Sequence, residues 1–139
     1  MMIMDKFMGK PSQKWTDYAW LAIRLALALV LVMHGWQKLA GGMDGFIAML
    51  DKLSFPMPVV LAWLVALLEF FGGIAIAIGL CTRDVAAMVT IQFAIILIFV
   101  KKFAFPMSDT DILVFGAALA LALVGAGGMS VDAKMKRNA

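Results

Sequence analysis

Polar positions along the chain are confined to a few places inside long apolar runs. The first run, Tyr18 to Ala40 (YAWLAIRLALALVLVMHGWQKLA), is about 23 residues, enough for an α-helix to cross ~30 Å of hydrocarbon with modest tilt. It nevertheless carries Arg24, His34 and Lys38. At about 100° per residue, Lys38 lies roughly 40° and His34 roughly 80° round from Arg24, with Asp17 about 20° to the other side. The four polar groups therefore share one stripe, and Leu, Val and Ala fill the rest of the surface. An ionisable group at membrane depth is costly enough to face a bundle interior or a wet cavity. The pattern predicts a spanning helix with one chemical face.

Ala40-Gly41-Gly42 supplies a helix stop. In the following DGFIAMLDKLSFPMP, Phe46, Ile47, Leu50 and Leu53 recur at helical spacing, with Asp44 as a cap. This segment is too short to span and reads as an amphipathic helix in the interface or over the bundle mouth. Pro56 and Pro58 set up a second span, about 57–80, where a missing N–H costs little. That span holds Glu69 near its middle, followed by Gly72, Gly73, Ala75, Ala77 and Gly79, small residues that let helices approach closely and suit a homo-oligomer. Cys81-Thr82-Arg83-Asp84 is a tight polar turn. A third span, about 85–102, contains Thr90 and Gln92 and closes on Lys101-Lys102; a fourth, about 109–125, begins at Ser108-Asp109-Thr110-Asp111. The expectation is an all-α integral membrane four-helix bundle over residues 18–128, with a short interfacial helix between spans 1 and 2. An N-terminal segment, 1–17, precedes it and a basic tail, 129–139, follows.

Composition sharpens the membrane reading. Of 139 residues, 64% are hydrophobic and 15% charged, where a soluble domain is about half apolar and about a quarter charged. The formal net charge of +3 comes largely from cations outside the apolar runs. That suits tails touching anionic headgroups and gives no reason to invoke nucleic acid. One cysteine, Cys81, rules out an internal disulfide and a CxxC redox pair, and one histidine cannot supply two haem ligands or a zinc cluster. The start of the chain is not a secretory signal, because Asp5 and Lys6 break its apolar stretch and no small-residue cleavage site follows the first span. The residues before Gly9 are expected on the membrane surface or disordered. Four spans put both termini on one side, with Lys6, Lys10, Lys14, Arg83, Lys134, Lys136 and Arg137; Lys38, Lys52, Lys101 and Lys102 lie opposite. The positive-inside rule then places both termini in the cytoplasm, with Trp15, Tyr18 and Trp20 at the inner interface and Trp36 at the outer one.

The motifs RLALALVLVMHGWQKL, GFIAMLDKLSFPMP, LLEFFGGIAIAIGLCTR and GGMSVDAKM, in that order, resemble the DoxX family of small four-span bacterial membrane proteins. The resemblance covers nearly all of Trp20 to Asp132, and the early Arg followed by H-G-W-Q-K-L is its most specific part. Where similar proteins commonly place a Glu before the last span, this chain has Asp109 and Asp111. The resemblance implies a bacterial inner-membrane location and a redox, quinone-linked setting. Relatives are associated with thiosulfate:quinone oxidoreduction and with membrane oxidoreductase complexes handling oxidative and thiol stress.

Two polar clusters are expected to carry any chemistry. Helix depths put Arg24, Glu69 and Gln92 within reach of one another, as a buried ion pair that either fixes helix register or takes part in function. Nearer the other end, His34, Lys38 and Asp111, with Asp109 and Lys101, could hold a quinone headgroup through hydrogen-bond donors and a histidine that titrates near neutral pH. The plainer alternative makes Ser108 and Asp111 a capping box, lets Lys38 snorkel and leaves His34 a core residue. Cys81 reads as inert, and the twelve scattered methionines read as core filler with no metal site. The leading expectation is a quinone-binding or anchoring subunit of a membrane oxidoreductase. Such a chain cannot hold haem, flavin or an iron–sulfur cluster alone, so electrons would come from an oxidoreductase partner. The alternatives are a small transporter with a polar path through Arg24, Glu69 and His34, or a structural assembly protein.

Overall fold

The computed structural model describes residue 9 and residues 11–139, and every described element is helical. The expectation for the residues before Gly9 lies outside the described residues. Helix α1 runs Gln13–Gln37, and α2, Met43–Lys52, follows across a wide π turn, Lys38–Gly42, kinked at Gly41 where φ is 139°. Helix α3 is Pro58–Ile78, and α4, Thr82–Ile95, opens into a second π turn, Ile96–Val100. Helix α5 is Asp109–Val124 and α6 is Val131–Asn138.

Among the described residues, three helical stretches are long and apolar enough to cross a membrane: Gln13–Lys52, Pro58–Ile78 and Thr82–Val100. With 16 residues, α5 is only about 24 Å long at ~1.5 Å per residue, short of the ~30 Å hydrocarbon thickness. It still completes one core. Leu27, Ala28 and Leu31 of α1 meet Ile76 of α3, Ala86, Val89 and Phe93 of α4, and Val114, Ala118 and Leu121 of α5. The outward faces are apolar too: Leu25, Leu29, Trp63, Leu64, Phe71, Ile91, Leu113 and Leu123 are all exposed. A bundle greasy inside and out has lipid for its solvent.

Close helix approach sets the register. A Cβ on Gly35 would sit 2.5 Å from the backbone nitrogen of Phe70, so the H-G-W motif lets α1 lie directly on α3. The Gly72-Gly73 pair is likewise used inside the protomer: Cβ atoms there would press on Val85 at 3.1 Å and on Val32 at 2.8 Å. In α5, by contrast, Gly116 faces open space.

The end of the bundle that gathers α1's start and α6 is tied by a clasp built on the closing GGMSVD. Gly79 ends α3 in the left-handed region, φ 76°, and its carbonyl accepts from the Asp132 N–H at 2.9 Å. The Asp132 carboxylate accepts in turn from the Cys81 and Thr82 N–H groups at 2.8 and 2.9 Å, capping α4, whose N-cap Cys81 is itself left-handed at φ 48°. Asp17 accepts from the Gly128 N–H at 3.0 Å, which fastens α1 to the same loop.

Partial burial pushes the Asp132 carboxyl up, but the Thr82 and Cys81 backbone N–H bonds and the nearby Lys136 outweigh it and hold the pKa below its ordinary value. A depressed folded-state pKa gives stability that is full above the unfolded value, about 3.9, and is lost as pH falls through the lower folded one. Melting temperature in detergent should therefore drop as pH is lowered below about 4. Asp132→Asn should melt lower at neutral pH and show a flatter acid limb. An identical limb in both proteins would remove Asp132 as the acid-labile clasp.

Candidate functional site

Arg24 is 1% exposed, yet it does not meet Glu69. Its Nε donates to the Ile76 carbonyl at 3.0 Å and Nη2 to the Ala77 carbonyl at 2.7 Å, both in the last turn of α3. Its Nη1 donates to the carbonyls of Ala126 and Met129 at 2.9 and 2.8 Å. The expected Arg24–Glu69 pair is thus replaced by backbone partners, because the Gly35–Phe70 approach sets Glu69 seven residues, about 10 Å, along α3 from Ile76. The guanidinium caps the negative end of the α3 dipole and holds the α5–α6 loop. Arg24 belongs to the clasp.

Glu69, also 1% exposed and midway along α3, finds different partners. Lys38 pairs with its Oε2 at 2.5 Å, and Gln92 of α4 donates to its Oε1 at 2.7 Å. Lys38 does not snorkel. A carboxylate this deep must be matched by a cation, and the first π turn swings the lysine inward, over the Phe46 ring at 5.0 Å. Of the expected cluster of Arg24, Glu69 and Gln92, the structure joins only the last two, and Lys38 takes the place of Arg24.

The second ion pair is Lys101–Asp111, with Asp111 buried at the start of α5. The expected Ser108–Asp111 capping box does not form. Ser108 is helical in backbone (φ −104°, ψ −2°) and makes no side-chain cap bond, because an N-cap aims its hydroxyl only from an extended conformation. Asp109 is exposed, accepts from the neighbouring Thr110 N–H at 2.7 Å, and stays apart from the cluster.

Both ion pairs border one cavity of about 330 Å³ at the end of the bundle away from the clasp. Its polar lining is His34, Lys38, Glu69, Gln92, Lys101 and Asp111; its apolar walls include Phe46 and Leu50 of α2, Phe55, Leu61, Val65 and Phe93. His34, half-buried, enters one turn before Lys38. Lys38 lies in the first π turn and Lys101 directly follows the second, with His34 and Gln92 each four residues before a turn. Hydrophobic periodicity gives no sign of those turns, and helix depth read from sequence groups Glu69 and Gln92 with Arg24 instead of with this cavity. The cavity is mostly apolar with a few convergent polar groups, the character of a small-molecule site. Buried Leu27, Leu31, Ile76 and Val89 fill the core between this cavity and Arg24, so Arg24, Glu69 and His34 do not form a continuous polar path.

The DoxX family profile matches residues 19–102, well over half the chain. The chain belongs to the DoxX family. It is 29% identical over 128 residues to the inner membrane protein YqjF of Escherichia coli (strain K12), spanning 86% of this chain and 94% of that one. It is 28% identical over 114 residues to a Bacillus subtilis (strain 168) protein named "Putative oxidoreductase CatD", spanning 81% of this chain and 83% of that one. The inner membrane protein YphA of Escherichia coli (strain K12) is 25% identical over 122 residues, covering 81% and 86%. No solved structure matches the chain. The DoxX match takes in His34, Lys38, Glu69, Gln92 and Lys101 and stops before α5, where Asp111 completes the cavity.

Proposed function

We propose that this DoxX-family membrane protein is a quinone-binding subunit of a membrane oxidoreductase, and that the cavity bordered by Lys38–Glu69 and Lys101–Asp111 takes the quinone headgroup. A single feature carries the reading. Gln92 lines a mostly apolar cavity with its Oε1 buried and unpartnered among the described residues, so the polar equipment there exceeds what the fold itself satisfies. A quinone and its hydroquinone form one lipid-soluble carrier of two electrons and two protons, and the reduced form offers the hydroxyl hydrogen that the Gln92 Oε1 lacks. Its ring would lie against Phe46, Phe55 and Phe93. His34 and the two lysine ammonium groups are the donors available to ring oxygens. The name of the Bacillus subtilis relative agrees with a redox setting. Electrons would come from a partner protein bound to the subunit.

In this reading α5 is the fourth span. It closes the core with α4 and exposes Leu113, Leu119, Leu123 and Val124 to lipid, and the KKFAFPM stretch before it, with exposed Phe103, Phe105 and Met107, sits in the interface beside α2. Both termini lie in the cytoplasm. At the opposite end Lys38 and Lys101 are neutralised in ion pairs and leave Lys52 and Lys102, while Lys14, Arg83, Lys134, Lys136 and Arg137 crowd the clasp end.

The test is direct binding. Wild-type protein in nanodiscs should bind a decyl-tailed benzoquinone saturably, and His34→Ala should weaken it about tenfold, the effect of one lost hydrogen bond, without moving the melting temperature. Affinity unchanged in that variant, or no saturable binding in the wild type, would remove the quinone site.

A further inference from the structure

Resting on that quinone-site reading, we infer that Gln92 makes the cavity favour a headgroup bearing a hydroxyl, so that it holds the hydroquinone form more tightly than the quinone. The orientation of the Gln92 amide is fixed by its neighbour. Glu69, ion-paired with Lys38, can only accept, so the Gln92 nitrogen must face it, as the 2.7 Å contact shows. The Gln92 Oε1 is thereby turned away from Glu69, and no donor among the described residues reaches it. The side chain belongs to a residue only 8% exposed, so bulk water is a poor substitute.

A buried carbonyl oxygen without a donor is a penalty that a ligand can relieve only by offering an O–H or N–H. A quinone presents acceptors alone and would place lone pair against lone pair. A hydroquinone presents a hydroxyl hydrogen at the same ring position. The donors of the cavity are already committed in part, Lys38 to Glu69 and Lys101 to Asp111, so their pull on a quinone carbonyl is blunted while the Gln92 acceptor stays unpaired. This is the asymmetry by which a site with an unpaired polar group rejects the analogue that cannot pair with it. The consequence for the subunit is directional: the cavity retains the reduced carrier and releases the oxidised one.

The experiment compares one headgroup in two redox states. Full-length protein in nanodiscs is titrated anaerobically with a decyl-tailed benzoquinone and with its hydroquinone, and affinities are read by calorimetry. The wild type should bind the hydroquinone about tenfold more tightly, equivalent to about 1.4 kcal/mol. Gln92→Met, close in volume but without the acceptor, should bind both forms with nearly equal affinity. If that variant does not melt cooperatively, Gln92→Asn, which withdraws the acceptor by one methylene, takes its place. Equal wild-type affinities, or a preference that survives in the Gln92 variant, would overturn the inference and leave the quinone site standing. Failure of both redox forms to bind would overturn the site and the inference together.

Discussion

Arg24→Leu is expected to lose about 4 kcal/mol or more of stability, the largest single effect in the chain. The side chain makes four hydrogen bonds, to the carbonyls of Ile76, Ala77, Ala126 and Met129. Bonds from a charged donor contribute roughly 1.5–3 kcal/mol each. Their sum overstates the loss, since burying a guanidinium itself has a desolvation cost that leucine avoids. What leucine leaves behind decides the sign. Four carbonyl oxygens lose this donor, two of them at the end of a helix that packs along α1, although the Ile76 carbonyl keeps the Gly79 N–H at 3.1 Å. Arg24→Lys should recover little, because one ammonium nitrogen cannot reach carbonyls spread over two segments that the planar guanidinium bridges. Thermal unfolding in detergent reads the result. A melting temperature within about 3 °C of wild type for Arg24→Leu would show that the clasp holds without its arginine.

That role for Arg24 marks where sequence reading stops. The apolar runs and the polar stripe of α1 follow from periodicity, whereas Gly41-Gly42, which reads as a helix stop, instead carries a kink within a helical stretch that continues to Lys52. The partner of Arg24 does not follow, because its partners are main-chain carbonyls, which every residue carries and no pattern advertises. Depth along a helix places Arg24 and Glu69 near one another only if the helices are aligned by their ends. Their true alignment comes from Gly35 against Phe70 and Gly73 against Val32, a tertiary fit of small residue to backbone. One register choice moved Glu69 and Gln92 from the clasp end to the cavity, and with them the meaning of Lys38. Ser108-Asp109-Thr110-Asp111 has the composition of a helix start, and α5 does begin there. The capping box fails because Asp111 is drawn to Lys101, a competition between charge and local hydrogen bonding that spacing alone does not weigh.

The Lys38–Glu69 pair should show the opposite arithmetic to Arg24: breaking it should harm the protein more than removing it. Lys38→Met leaves a carboxylate that is 1% exposed without a cation, and about 3 kcal/mol of stability should go with it. Glu69→Met should cost less, about 1–2 kcal/mol, because the lysine side chain is 18% exposed and its ammonium can swing out to water or headgroups. The double variant, with two methionines of similar length in an apolar cavity, should be more stable than Lys38→Met alone, since neither orphaned charge remains. Denaturant unfolding of the four proteins forms a closed cycle, and losses that add within about 0.5 kcal/mol would mean the two groups are not coupled. The same double variant separates architecture from chemistry. Folded but unable to bind a benzoquinone, it would tie the polar chain of Lys38, Glu69 and Gln92 to the ligand. Folded and binding as wild type does, it would show that the chain serves packing alone, and that the headgroup is held by His34 and the Lys101–Asp111 side of the cavity.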